Sequence, residues 1–82
     1  MSNKQIVLSG KEFVKLLEKI GFVVIRINGS HFRLKHDDGR ITTIPVHQNN
    51  DLPKGLMKKI VRDDLKLGLD HFEKLVFKNA NK

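Results

Sequence analysis

Four histidines, at positions 31, 36, 47 and 71, are the side chains of this sequence best suited to exchange protons near neutral pH. His31 stands out by its neighbours. It closely follows an Asn28-Gly29 turn signal, with Arg26 just before the turn and Arg33 two residues beyond the histidine. An imidazole among cations that hold a phosphate can take the proton of a ribose 2′-hydroxyl, whose oxygen then attacks its own phosphorus. Only RNA offers that route. The residues alone leave this reading open beside a plainer one, in which His31 is an ordinary strand histidine on a solvated face. His36 flanks a second turn and His71 opens a C-terminal helix, and the surface reading is preferred for both.

Other chemistries find less support. With no cysteine in its 82 residues, the chain has no thiolate nucleophile, no disulfide framework and no Cys-based zinc site. The histidines show no paired ligand spacing. A two-metal nuclease needs several carboxylates converging on ions about 4 Å apart. The acidic pairs here, Asp37-Asp38 and Asp63-Asp64, fall in a hairpin turn and on a helix. Asp37 lies six residues along the strand from His31, roughly 20 Å at about 3.3 Å per residue. No cofactor is expected.

The elements that must place His31 are readable from pattern. Ser9-Gly10-Lys11-Glu12 is a capping box, and Phe13, Leu16, Leu17 and Ile20 form one helical stripe that ends at Gly21. Phe22 to Ile27 is β-branched and aromatic, and Asn28-Gly29 signals a hairpin. A two-residue turn there pairs Ile27 with Ser30, Ile25 with Phe32 and Val23 with Leu34 on one face. Arg26 then stands opposite His31, and Val24 opposite Arg33, on the other face. Asp37-Asp38-Gly39 suits a three-residue hairpin closed between His36 and Arg40, setting Leu34 against Thr42 and Phe32 against Ile44. After a polar loop over 47–51, Pro53 introduces a helix over about 54–66, apolar at Leu56, Met57, Ile60, Val61 and Leu65 and ended by Gly68. A short helix from Asp70 to about Phe77, with Asp70 and Glu73 as a box-like cap, precedes a polar tail over 78–82. The expectation is one α+β domain over 1–82, its core over about 9–69, with a three-stranded antiparallel meander covered by helices on its apolar face.

Sixteen Lys and Arg against nine Asp and Glu give a net charge of +7, a balance that favours polyanions. Lys54, Lys58 and Arg62 recur every four residues on the second helix, with Lys59 nearby, and this row is a candidate track for RNA phosphates. Lys11, Lys15 and Lys19 form a similar row, interrupted by Glu12 and Glu18. No exposed aromatic cluster for base stacking is evident. The start carries only three apolar residues before Ser9, too few for a signal-peptide core, and no stretch approaches a membrane span. A reducing cytoplasm fits best.

Three motif groups together resemble the HicA toxin family in order and spacing, over about residues 9–69. They are Asn28-Gly29-Ser30-His31-Phe32, then Asp38-Gly39-Arg40 with Thr43-Ile44-Pro45-Val46-His47, and finally Asp51-Leu52-Pro53-Lys54-Gly55-Leu56. The resemblance implies a double-stranded-RNA-binding-domain-like (dsRBD-like) α-β-β-β-α fold and metal-independent endonucleolytic cleavage of messenger RNA. It implies too a HicB-type antitoxin partner, with DNA contacted only through the toxin-antitoxin complex. The family's catalytic histidine, in the Gly-Ser-His motif, carries over to His31. His47 sits where the family commonly has histidine, so it and Ser30 are auxiliary candidates for phosphate binding or proton transfer. The segment 70–82 departs from the family pattern, and its apolar residues are open to either core packing or an antitoxin interface.

Two rival readings remain beside the ribonuclease. A non-catalytic RNA-binding module shares the fold and charge and needs no histidine. A helix-turn-helix DNA binder using the last two helices is weaker, because His71 to Phe77 is mostly apolar.

Overall fold

The computed structural model describes residues 6–48 and 50–80. The expected polar tail over 78–82 is helical as far as Ala80, and its last two residues lie outside the described ones, as do residues 1–5. The elements run α1 (Gly10–Lys19), β1 (Phe22–Asn28), β2 (His31–His36), β3 (Ile41–Pro45), α2 (Lys54–Lys59), a π-helical turn (Ile60–Asp64) and α3 (Leu69–Ala80). This is the expected α-β-β-β-α order with a further C-terminal helix. The sheet is antiparallel in the order β1-β2-β3, so β1 and β3 are its edges.

Local signals place α1. The Ser9 hydroxyl accepts from the Glu12 N–H at 3.1 Å, and the Glu12 carboxylate accepts from the Ser9 N–H at 2.9 Å, completing the capping box. Phe13, Val14, Leu16 and Leu17 turn inward. Gly21 ends the helix with φ +105°, a conformation that L side chains avoid, and a Cβ there would also stand 2.8 Å from His36 Nε2.

The core joins these residues to Phe22, Leu34, Ile44, Leu52, Met57, Ile60, Val61, Leu65 and Phe72. Each such burial is worth about 1.5–3 kcal/mol against leaving the side chain in water. Phe72 meets Phe13 edge to face with ring centroids 5.6 Å apart, so α3 takes part in the core through this residue. Phe77 and Leu69 remain exposed. No helix among the described residues is long and apolar enough to cross a membrane.

The second hairpin follows its expected register. His36 donates to the Arg40 carbonyl at 2.9 Å, Gly39 has φ +99°, and Leu34 pairs with Thr42 and Phe32 with Ile44. The first hairpin does not. Its turn is Gly29-Ser30 rather than Asn28-Gly29, with Asn28 paired to His31, Ile27 to Phe32 and Arg26 to Arg33. Positive φ occurs at Gly29 (62°) and at neither neighbour, the pattern of a type II′ turn, in which glycine takes the first central position. A bulge then leaves Ile25 unpaired, beyond which Val24 pairs with Leu34 and Phe22 with His36. The expected pairs of Val23 with Leu34, Ile25 with Phe32, Val24 with Arg33 and Arg26 with His31 are all corrected. The physical reason is parity. Strand residues alternate faces, so Phe22, which is buried, and Ile27, which stands opposite Phe32 and stays 57% exposed, fall on the same side only because one extra residue intervenes. Phe22 becomes 2% exposed, while Val23 and Ile25 are left at 59% and 51%.

The helix expected over 54–66 also changes character. After Lys59 it widens, and the Leu65 N–H bonds to the Ile60 carbonyl, five residues back, at 2.9 Å. Lys66, with φ 57°, takes the left-handed terminal position expected nearer Gly68. The Leu67 N–H returns to the Val61 carbonyl, six residues back, at 3.0 Å, one residue wider than the closing bond of a Schellman ending. Two polar clasps hold the wide turn against the sheet. Buried Thr42 donates its hydroxyl to Asp64 Oδ2 at 2.8 Å, and Arg40 Nη1 donates to the Leu65 carbonyl at 2.6 Å. α3 begins at Leu69, placing Asp70 inside its first turn rather than at its cap.

Arg40 and His36 are structural. The Arg40 guanidinium lies 5.2 Å from the Phe22 ring centroid, and its Nε donates to Asp38 Oδ2 at 2.8 Å. His36 Nε2–H donates to the Ile20 carbonyl at 3.2 Å, while its Nδ1 accepts from the Asp38 N–H at 3.1 Å, joining the end of α1 to the hairpin. The Arg40 backbone amide, helped by the Arg40 guanidinium and His36, holds the Asp38 carboxyl below its usual pKa. A lowered folded-state value means stability that is fully present above the unfolded carboxylate pKa and lost as pH falls through the lowered one. Melting curves at stepwise lower pH should therefore show the wild type's advantage over Asp38→Asn shrinking on acidification. A gap that stays constant from neutral to strongly acid pH would contradict this.

Candidate functional site

The helices cover one face of the sheet and leave the other open. On that open face β2 presents His31, Arg33 and Lys35, all exposed. His31 is paired with Asn28 on one side and Pro45 on the other, and Arg26 stands opposite Arg33. Arg26 is therefore the diagonal neighbour of His31, and Arg33 the next residue on its own strand face. The register correction moves Arg26 by two positions, and an even shift keeps the face. The expected trio of His31, Arg26 and Arg33 is thus together, in a different arrangement.

That arrangement is electrostatically unfavourable by itself. Like charges directly opposite one another on a sheet repel, and the carboxylates beside other arginines are already engaged, Asp38 by Arg40 and Asp63 by Arg62. Neither Arg26 nor Arg33 has a carboxylate partner among the described residues. An anion lying over the two guanidiniums relieves the repulsion, and a phosphate can be held by both forks.

Ser30 and His47 line one concavity beside the turn. The Val46 N–H donates to the Ser30 carbonyl at 2.6 Å, extending the hairpin past β3. A concavity of about 470 Å³ there is lined by Ser30, Val46, His47, Gln48 and Asn50. The exposed His47 side chain thus sits at the same end of the sheet as His31. Pro45 suits an edge strand, since its missing N–H would have pointed away from β2.

The basic residues of the second helix divide. Lys59 lines a groove with Arg33. Lys54, Lys58 and Arg62 are exposed and line neither concavity. Arg62 falls in the wide turn, out of the regular four-residue row, and its Nε is 3.2 Å from Asp63 Oδ1. Among the described residues no three His, Asp or Glu side chains are gathered into a metal-holding group.

Sequence reasoning missed three contributors to this geometry. Gly10, taken only as part of the cap, lies so close to the end of β3 that a Cβ would meet the Pro45 carbonyl oxygen and stand 2.9 Å from Val46 Cα. Asp64 and Arg40 fasten the wide turn through contacts 22 and 25 residues away in the chain, which no local pattern announces.

Fold and site together define a small basic α-β-β-β-α domain with an exposed histidine and an uncompensated arginine pair on its open sheet face. The family model described as HicA toxin of bacterial toxin-antitoxin matches residues 10–67. The chain belongs to the HicA toxin family. Membership implies the role of toxin and the existence of an antitoxin partner. Comparison with curated proteins gives no match.

Proposed function

We propose that this toxin is a metal-independent endoribonuclease that cuts messenger RNA with His31, in the cytoplasm, and is held in check by a HicB-type antitoxin. The observation that carries this reading is the exposed His31 imidazole beside the cross-strand Arg26–Arg33 pair in a chain of the HicA family. In the proposed reaction Arg26 and Arg33 hold the scissile phosphate and neutralise the charge that grows as the attacking oxygen bonds to phosphorus. His31 takes the 2′-hydroxyl proton; the 5′-oxygen of the next nucleotide leaves and takes a proton from water, whose hydroxide the His31 imidazolium then neutralises. The products are a 2′,3′-cyclic phosphate and a 5′-hydroxyl. Ser30 and His47 assist from the adjoining concavity, in phosphate binding or proton transfer, and Lys54, Lys58, Lys59 and Arg62 hold flanking phosphates.

Incubating total RNA with the purified protein in excess EDTA tests this directly. Fragments with 5′-hydroxyl ends are expected, at the rate seen without chelator. RNA that is bound and left whole would reduce the protein to a binding module, and cutting only after a divalent ion is restored would remove metal independence.

A further inference from the structure

A second groove, of about 460 Å³, runs between the outer edge of β3 and α2 with its wide turn. Arg33 and Lys59 bring two cations to it, Ile41 and Leu56 bring apolar surface, and Thr43 and Asp64 bring polar groups. The strand edge adds backbone donors and acceptors. Bonds from His36 to Arg40 and from Val46 to Ser30 set the alternation of the β2–β3 ladder. Thr42 and Thr43 therefore differ, and it is Ile41 and Thr43 that direct N–H and C=O away from β2. Further along the same edge Pro45 has no N–H to offer, and its carbonyl faces Gly10. Asp64 Oδ2 is engaged by Thr42 at 2.8 Å, which fixes the carboxylate and leaves its other oxygen for a further donor.

We infer that this groove is a base-selective subsite for a nucleotide of single-stranded RNA next to the cut linkage, accepting a base with an exocyclic amine and disfavouring uracil. The charge pattern decides the occupant. An acidic peptide would satisfy Arg33 and Lys59 but bring its carboxylates against Asp64. A nucleotide separates its anionic phosphate, for the two cations, from a donor-bearing base edge, for Asp64 and the Thr43 backbone, while Ile41 and Leu56 pack on the base. Uracil's single N–H is flanked by two carbonyl oxygens, which the Asp64 carboxylate repels. Arg33 links the two sites, since it follows His31 on the same strand face by two residues, roughly 7 Å. A strand cut at His31 thus passes Arg33 and delivers its neighbouring nucleotide to the groove.

The inference rests on the ribonuclease reading, and the test separates the two. Binding of short single-stranded RNAs, each varied at one base, is measured by fluorescence anisotropy with His31→Ala protein, while wild-type cleavage of the same RNAs is followed in parallel. One position is expected at which uracil weakens binding about tenfold or more. Asp64→Asn, which keeps an oxygen for Thr42, should remove most of that discrimination. Lys59→Ala, at an exposed position, should weaken all RNAs alike and lower the slope of log affinity against log salt by about one. Affinity indifferent to the base at every position, or unmoved by Asp64→Asn, overturns the subsite. So does a Lys59→Ala variant that loses affinity for the antitoxin and none for RNA. Discrimination without cleavage would overturn only the nuclease reading, and cleavage without discrimination only the subsite.

Discussion

Replacing His31 by alanine is expected to lower the RNA cleavage rate by about 10²–10⁴, the usual contribution of a positioned general acid or base, and to abolish growth arrest. Stability should change little. The side chain is exposed on the open sheet face, outside the core, and surface substitutions of this kind stay within about 0.5 kcal/mol. RNA affinity should survive as well, because Arg26, Arg33 and the helix lysines still neutralise phosphates. The pairing of lost rate with retained melting temperature and retained binding is what distinguishes proton transfer from a structural role. A 2′-deoxy substitution at the cut linkage in an otherwise ribose substrate should mimic the variant, since it removes the proton that His31 takes. Cleavage persisting at the wild-type rate in His31→Ala would take this residue out of the mechanism.

Gly10→Ala is expected to be the most damaging single-methyl change in the chain. Its added carbon would meet the Pro45 carbonyl oxygen, stand 2.9 Å from Val46 Cα and 3.1 Å from the Pro45 carbonyl carbon, all backbone atoms that cannot swing aside. Overpacking of this kind costs about 1–3 kcal/mol, and more where backbone must move. A domain of this size has only about 4–12 kcal/mol to lose, and each kilocalorie lowers the melting temperature by about 4–8 °C. The displaced residues matter too. Pro45 is the cross-strand partner of His31, and Val46 ties the chain to Ser30. Activity should therefore fall even at temperatures where the variant stays folded. Gly55→Ala is the matched control: a Cβ there meets nothing within 4 Å, and alanine in a helix should stabilise by about 0.5–1 kcal/mol. Equal melting temperatures for Gly10→Ala and the wild type would show that the close approach is not a constraint.

The fate of the C-terminal segment follows from packing. Phe72, in contact with Phe13, is a core residue, whereas Phe77 and Leu69 remain exposed. The helix-turn-helix alternative loses ground accordingly, because α3 spends Phe72 on the core rather than offering a fully polar reading face.

Much of the fold was legible because its signals are local. The Ser9–Glu12 box, the positive φ of Gly21 and the Asp37-Asp38-Gly39 hairpin each depend on residues within a few positions of one another, and each formed as the pattern implied. The register of β2 on β3 followed from that hairpin, and so did the exposure of His31 on the open face. What escaped the sequence was decided by contacts between segments distant in the chain. Phe22 and Ile27 cannot share a face of a regular strand, and the bulge at Ile25 that reconciles them, together with the Gly29-Ser30 turn, moved Arg26 opposite Arg33. The wide turn held by Thr42 and Arg40, and the near-contact of Gly10 with Pro45, likewise join segments that become neighbours only when the helices settle on the sheet. Residue types and short spacings thus determined which groups are present and put His31, Arg26 and Arg33 on the open face, while the faces of Val23 and Val24 were not fixed by them. Only the packed tertiary structure determined which of them stand side by side, because pairing depends on how the whole core is filled.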